Sequence, residues 1–342
     1  MDKKNAISIF GTLGTELVKL SQSFDKTPYM PLIQKAIAQN PWFTKESVQM
    51  ALGAIGSSLQ KNKLIKWLDN YNLNTASPNK TVGIIMAGNI PLVGFHDLLC
   101  TLISGNKVLA KLSSKDQMLY SIIKSILVEI DSVFDSKIEF TDNTLKNIDA
   151  IIATGSDNSA RYFEYYFSKY PNIIRKNRNS LAILTGDEDF GDMENIADDI
   201  FTYFGLGCRN VSFLLIPENY DLKKLIKAFD KYKQIDGHSK YTNNYDYQKA
   251  IMLMNQIPHY DNGFVLLTEN DSLTSPIGVI NYKYYKNESD IENYIAANKN
   301  RIQCAVSKTK QGFKTYGLGE AQQPDLWDYA DNIDTLKFLL NL

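Results

Sequence analysis

The 342-residue chain is short of the residues that staple a fold or hold a metal. Its three cysteines, Cys100, Cys208 and Cys304, lie far apart, with neither a pairing pattern nor metal-ligand spacing. Three histidines, His96, His238 and His259, are too few and too scattered for a zinc site, so no metal is expected. An excess of one charge is also missing. With 37 Lys and Arg against 38 Asp and Glu the net charge is −1, and nothing electrostatic points to nucleic acid or an anionic membrane. No apolar run approaches the length that crosses a bilayer. Residues 1–7 lack the long apolar core of a secretory signal, and a cytoplasmic location is expected. There is no internal repeat, no low-complexity segment and no G-x-G-x-x-G after any strand, so a dinucleotide would not be held by the usual fingerprint.

Ordinary globular chemistry is present: 44% apolar and 22% charged residues over a length that favours two domains. Residues 1–80 read as helices. Ile9, Phe10, Leu13, Leu17 and Leu20 share one face, residues 30–38 and 48–59 repeat the pattern with Thr44 as a cap, and Leu64, Ile65, Trp67 and Leu68 add a fourth stripe. This segment is expected to cover the domain that follows. At Thr81 the pattern changes to short apolar runs alternating with helical ones. A strand over residues 81–86, a break at Ala87-Gly88-Asn89-Ile90-Pro91, a helix to Ser104, a glycine stop at Gly105 and a second strand over residues 107–111 make a βαβ unit. Further strands are expected at 138–140 and 150–153, giving a doubly wound sheet. Thr154-Gly155-Ser156 then leads into a helix, a setting whose amide groups and dipole suit a phosphate. The cluster Arg175-Lys176-Asn177-Arg178 could hold a phosphate, solvated surface charge being the commoner outcome.

The alternation restarts near residue 178, with a strand over 180–184, a helix over 193–204 and a strand over 211–216. Helices at 222–229, 245–254 and 290–298 and strands at 263–268, 279–282 and 302–306 follow. The expected organisation is a helical segment (1–80), a nucleotide-binding α/β domain (81–177), a second α/β domain (178–316) and a mixed tail (317–342). Phe204-Gly205-Leu206-Gly207-Cys208-Arg209-Asn210 sits between helix and strand of the second half, where glycines leave the sulfur reachable. Taken alone, the same heptapeptide also fits a small buried hydrophobe at a strand edge.

Four separated pieces resemble, in order, the aldehyde dehydrogenase superfamily. They are Met86-Ala87-Gly88-Asn89-Ile90-Pro91-Leu92, Gly105-Asn106-Lys107-Val108-Leu109-Ala110-Lys111-Leu112-Ser113-Ser114, Ala153-Thr154-Gly155-Ser156 and Gly205-Leu206-Gly207-Cys208. Asn89-Ile90-Pro91-Leu92-Val93-Gly94-Phe95-His96-Asp97, Asn40-Pro41-Trp42-Phe43-Thr44, Leu318-Gly319-Glu320 and Asp334-Thr335-Leu336 are similar to its acyl-CoA reductase branch, the LuxC-type fatty acyl reductases.

The resemblance implies an aldehyde dehydrogenase-like pair of doubly wound α/β domains. It implies Cys208 as the nucleophile, Asn89 as an oxyanion donor, and cofactor contacts from Ala87, Gly88, Lys111, Ser114, Thr154, Gly155 and Ser156. Acid-releasing members carry a glutamate about thirty residues before the cysteine. Here that place falls on Arg175-Lys176-Asn177-Arg178, which points to aldehyde release, with Glu188 and Glu194 as candidates for a displaced base. No carboxylate follows Lys111, which favours NADPH, with NADH open. The expected reaction is NADPH-dependent reduction of an acyl-CoA or acyl-carrier thioester to an aldehyde, the acyl group arriving as the free thioester or from a protein partner, in a chain that relatives suggest is a homo-oligomer. The alternatives are a hydrolytic aldehyde dehydrogenase and a non-catalytic binding protein on the same fold.

Overall fold

Residues 1–73, 79–309 and 311–342 are described by a computed structural model, in which the chain forms two units, Met1–Asn177 with Pro324–Leu342 and Arg178–Gln323. The first unit begins with four helices, α1 (Lys3–Gln22), α2 (Met30–Gln39), α3 (Lys45–Ser58) and α4 (Lys61–Leu68). Local chemistry sets their starts. The Asp2 carboxylate accepts the Asn5 N–H ahead of α1, and Thr44 and Ser47 form a reciprocal capping box ahead of α3.

Next come β1 (Thr81–Ile85), α5 (Phe95–Ile103), β2 (Lys107–Lys111), α6 (Gln117–Ile130), α7 (Phe134–Lys137), β3 (Ile138–Phe140), β4 (Ala150–Thr154), α8 (Asp157–Phe167) and β5 (Asn172–Arg175). All five strands are parallel, in the order β3-β2-β1-β4-β5. The sheet is covered on both faces, which is why its strands read as unbroken apolar runs. Phe10, Leu13 and Leu17 of α1 share one core with Val82 and Ile84 of β1 and with Leu98, Leu119 and Ile123 of α5 and α6. The N-terminal helices are therefore built into this unit. The strand order reverses between β1 and β4, so the loops after those parallel strands flank the crevice at the carboxyl edge.

The second unit holds β6 (Asn179–Ile183), α9 (Phe190–Phe201), β7 (Val211–Pro217), α10 (Leu222–Ala228), α11 (Ser239–Met254), β8 (Tyr260–Asp261), β9 (Leu266–Glu269), β10 (Val279–Tyr285), α12 (Glu288–Asn298) and β11 (Ile302–Ser307). Its sheet runs β11-β6-β7-β10-β9-β8, parallel except for the short antiparallel β8. The last helix, α13 (Thr335–Leu340), returns to the first unit. Among the described residues no helix is long and apolar enough to cross a membrane.

Three details differ from the sequence reading. The polar strand β5 is present although its ends are Asn172 and Arg175. The helix expected to reach Phe204 stops at Phe201, because Tyr203 and Phe204 take left-handed backbone angles, φ 54 and 60°. The tail divides between the two units at residue 323.

Candidate active site

In the first unit, three loops start side by side. Ile85 is in register with Lys111 on one flank and Ala153 on the other, so the segments beginning at Met86, Leu112 and Thr154 leave the sheet together. The first carries Asn89, which is exposed, and is held by polar groups from elsewhere in the unit. The buried Asn40 donates its side-chain amide to the Gly88 carbonyl (3.2 Å), the Asp116 carboxylate accepts the Leu92 N–H (2.7 Å), and the Tyr120 hydroxyl accepts the Gly94 N–H (2.8 Å). Leu92 is left-handed, at φ 57°, and Asp116 is the partner that holds it there. Burial pushes the Asp116 carboxyl well above its ordinary range, the Leu92 N–H offsetting this in part, and burial likewise raises Tyr120. Gly88 is needed for close approach, since a Cβ there would fall 2.5 Å from the Ser113 hydroxyl.

These three loops carry the residues expected to hold a phosphate-bearing nucleotide. Lys111 closes β2, Ser114 is exposed beyond it, and Ala87 and Gly88 present little side chain. Thr154 closes β4. The anion seat that follows is narrower than the sequence implied, because the Gly155 N–H already donates to the Arg175 carbonyl (3.3 Å) and the Ser156 hydroxyl accepts the Ser159 N–H (3.2 Å). What remains is the first turn of α8, whose Asp157 and Asn158 amides have no acceptor within the helix. Arg175 is no phosphate ligand. It is buried, paired to Asp97 at 2.5 Å and donating to the Thr335 hydroxyl at 2.9 Å. His96 packs between Trp67 and Tyr329 with Nε2 2.9 Å from the Leu326 carbonyl, and burial lowers its pKa.

In the second unit, the cysteine loop precedes β7 and lies at the amino end of that strand. Tyr203, Phe204 and Gly205 are consecutive left-handed residues (φ 54, 60 and 75°), a costly conformation for the two aromatics. One buried side chain holds the loop. The Asn210 amide donates to the carbonyls of Asp199 (3.1 Å), Ile200 (3.2 Å) and Thr202 (2.8 Å), closing the end of α9, while its oxygen accepts the Gly207 N–H (2.8 Å). Ser180 of β6 adds a tether, its hydroxyl donating to the Cys208 carbonyl at 3.0 Å and lying 3.0 Å from the Cys304 sulfur. The Phe204 ring packs against the His238 imidazole, with centroids 4.2 Å apart and planes tilted by 37°. The result presents Cys208 exposed, whereas Cys100 and Cys304 are buried.

Neither candidate base reaches this loop. Glu188 is buried in its own turn, accepting the Thr185 N–H (2.7 Å), the Thr185 hydroxyl (3.0 Å) and the Gly186 N–H (3.0 Å). That turn follows the carboxyl end of β6, which runs parallel to β7, so it lies a strand length, roughly 16 Å, from the amino end of β7. Glu194 is near the start of α9, about 10 Å along the helix from the end that meets the cysteine loop. Asn210 and Ser180 carry the geometry without having been assigned a role from sequence. The available signal was an Asn three residues after a loop glycine, the spacing of a side-chain-closed turn.

The family model described as Acyl-CoA reductase (LuxC) matches residues 29–312. A long-chain acyl-protein thioester reductase of Aliivibrio fischeri is 23% identical over 209 residues, covering 56% of this chain and 43% of that protein, so the match spans less than half of its length. Among solved structures, a putative aldehyde dehydrogenase from Burkholderia cenocepacia superposes with a TM-score of 0.69 at 12% identity, covering 91% of this chain and 76% of its own. A Mycobacterium tuberculosis aldehyde dehydrogenase solved with NAD+ gives 0.64 at 15% identity, covering 93% and 78%. At these identities the likeness establishes the aldehyde dehydrogenase-like fold. With most of its length inside the family model, the chain belongs to the LuxC acyl-CoA reductase family.

Proposed function

We propose that the protein reduces an acyl thioester, acyl-CoA or its carrier-protein equivalent, to an aldehyde, with Cys208 as nucleophile. The observation that carries the reading is the pairing of an exposed cysteine on a strained, amide-locked loop with the confinement of Glu188 to its own turn and the position of Glu194 along α9. The Cys208 thiolate attacks the thioester carbonyl, the carbonyl electrons move to oxygen, and collapse expels the donor thiolate to leave an acyl group on the sulfur. Asn89 and the Cys208 backbone N–H are the donors proposed for the oxyanion. A reduced nicotinamide, when bound, supplies the hydride. Cys208 then leaves as thiolate and the aldehyde departs.

The segment where a hydrolytic relative would hold its glutamate begins instead with Arg175, tied up with Asp97, and Glu188 is confined to its own turn. Without a base, release of the acyl group by water is slower by roughly 10²–10⁴. Lys111 and Ser114 support NADPH over NADH, since no acidic side chain directly follows them to repel a 2′-phosphate. An acyl-transferring protein partner and self-association are part of the same reading.

NADPH consumption against a panel of acyl-CoA chain lengths, with aldehyde as the product, is the test. Steady production of free acid from aldehyde and NADP+ without CoA would favour hydrolysis. A Cys208→Ala variant still reducing acyl-CoA at the wild-type rate would sink the nucleophile assignment. Failure to trap an acyl adduct or to bind NADPH would leave a binding protein.

A further inference from the structure

The first turn of α6 directs its polar groups at another loop rather than at its own helix. Asp116 is the N-cap of α6, a position where an aspartate ordinarily accepts an N–H from the turn that follows. Here it makes no such bond. Its Oδ2 instead accepts the Leu92 N–H at 2.7 Å, 24 residues back along the chain, and its buried Oδ1 has no partner among the described residues. Four residues on, and so on the same face of the helix, the Tyr120 hydroxyl accepts the Gly94 N–H at 2.8 Å. The approach is close, since a Cβ at Gly94 would fall 2.9 Å from Met86 Cγ and 3.1 Å from the Tyr120 oxygen. With Asn40 on the Gly88 carbonyl, the backbone is tied down on both sides of Asn89.

We propose that Asp116 is a positioning residue that fixes the loop carrying Asn89 in the conformation from which its amide meets the oxyanion; the inference rests on Asn89 being the oxyanion donor.

A donor of this kind works only when it is in place before the charge develops. Asn89 is exposed on a loop, the kind of element least able to fix a side chain by itself. The bend beside it is the left-handed Leu92 (φ 57°), a conformation that persists in a non-glycine residue only where its surroundings hold it. Leu92 and Asp116 are both buried, so removing the carboxyl leaves that N–H without an acceptor. A residue that leaves its own helix uncapped to make this bond breaks a local rule, and such breaks gather at functional sites. One oxygen does the holding while the other has no partner, so the loop needs a C=O of this reach rather than a charge.

Two reactions of Cys208 separate positioning from general damage. Acylation by acyl-CoA passes through an oxyanion, and alkylation by iodoacetamide does not. Both are followed by peptide mass on the full-length chain without nicotinamide. Asn89→Ala should slow acylation about 10²-fold or more and leave alkylation within about twofold of wild type. Asp116→Leu should slow acylation about tenfold or more, with alkylation again within about twofold, and Asp116→Asn should recover most of the rate. In the Asn89→Ala background, Asp116→Leu should add less than about twofold, because the donor it positions is already gone. An Asp116→Leu variant acylated at the wild-type rate overturns the proposal. So do losses that multiply in the double variant, or alkylation that falls in step with acylation. If Asp116→Leu does not fold, hydrogen exchange in the wild type decides: the Leu92 N–H should be protected as well as the amides of β1, and exchange at the rate of an exposed loop amide overturns the proposal. An Asn89→Ala variant acylated at the wild-type rate removes the donor, and this inference with it, while leaving Cys208 as nucleophile. A wild type that takes up no acyl group defeats the proposed function itself.

Discussion

The loop after β1 and the loop before β7 solve one problem by opposite routes. Both hold irregular backbone that includes left-handed non-glycine residues, Leu92 in one and Tyr203 with Phe204 in the other. The first is held from a distance: Asn40, Asp116 and Tyr120 reach it from segments 24 to 48 residues away in sequence. The second is held largely from within, by Asn210, whose four bonds stay inside the stretch 199–210. A loop pinned by remote side chains depends on the whole unit being folded. A loop pinned by its own asparagine depends on one residue.

The largest effect is expected at the sulfur that the self-held loop presents. Cys208→Ala should abolish the acyl adduct and cut acyl-CoA-dependent NADPH oxidation by about 10³-fold or more, with an unchanged circular dichroism spectrum. Next, Asn210→Ala leaves three carbonyls and one N–H without their partner and should destabilise the protein by about 3 kcal/mol in urea melts, slowing Cys208 alkylation as well. Asn40→Ala removes the contact to Gly88 from the remotely held loop and should cost about 1 kcal/mol, leaving Cys208 alkylation unchanged. If both variants affect alkylation equally, the contrast between the loops fails. Gly88→Ala, driven against Ser113, should weaken NADPH binding several-fold in a fluorescence titration and leave alkylation intact.

The smallest effect is a pH slope. The Asp199 carboxyl is raised from 3.8 to about 7 by burial, the two backbone N–H groups it accepts from offsetting this in part. Its neutral form is favoured in the folded state, so its contribution is fully present below about pH 4 and is lost as pH rises through 7. Between pH 4 and 7 the melting temperature of wild type should therefore fall relative to that of Asp199→Asn; parallel curves would remove Asp199 from the account.

The fold class was legible because parallel strands buried on both faces leave continuous apolar runs, as at residues 81–85, 150–153 and 211–216. Strand β5 left no such trace: its Arg175 is buried by an ion pair with Asp97, 78 residues away, a partnership no local pattern records. The stop of α9 at Phe201 was equally hidden, since the left-handed turn is made by two aromatics rather than by glycine alone. Motif order singled out Cys208 and Asn89 for the roles proposed above. Only the fold removed Glu188 and Glu194: both lie near the cysteine in sequence, but the parallel β6 and β7 leave the Glu188 turn at the other end of the sheet, and Glu194 sits about 10 Å along α9 from the cysteine loop. Tyr120 and Asp116 were invisible because what they hold is backbone 24 to 26 residues away, and Asp97 because its partner is the Arg175 guanidinium 78 residues along the chain.

Residues 324–342 return to the first unit, where Leu326, Tyr329, Leu336 and Leu339 enter its core and the Trp67 indole donates to the Tyr329 hydroxyl at 2.8 Å. A ribosome makes the 146 residues of the second unit before it makes this segment. The nucleotide-side unit thus waits, with its core incomplete, while the cysteine-bearing unit is free to fold first. The order of synthesis completes the unit that carries the proposed nucleophile before the unit proposed to hold its reductant.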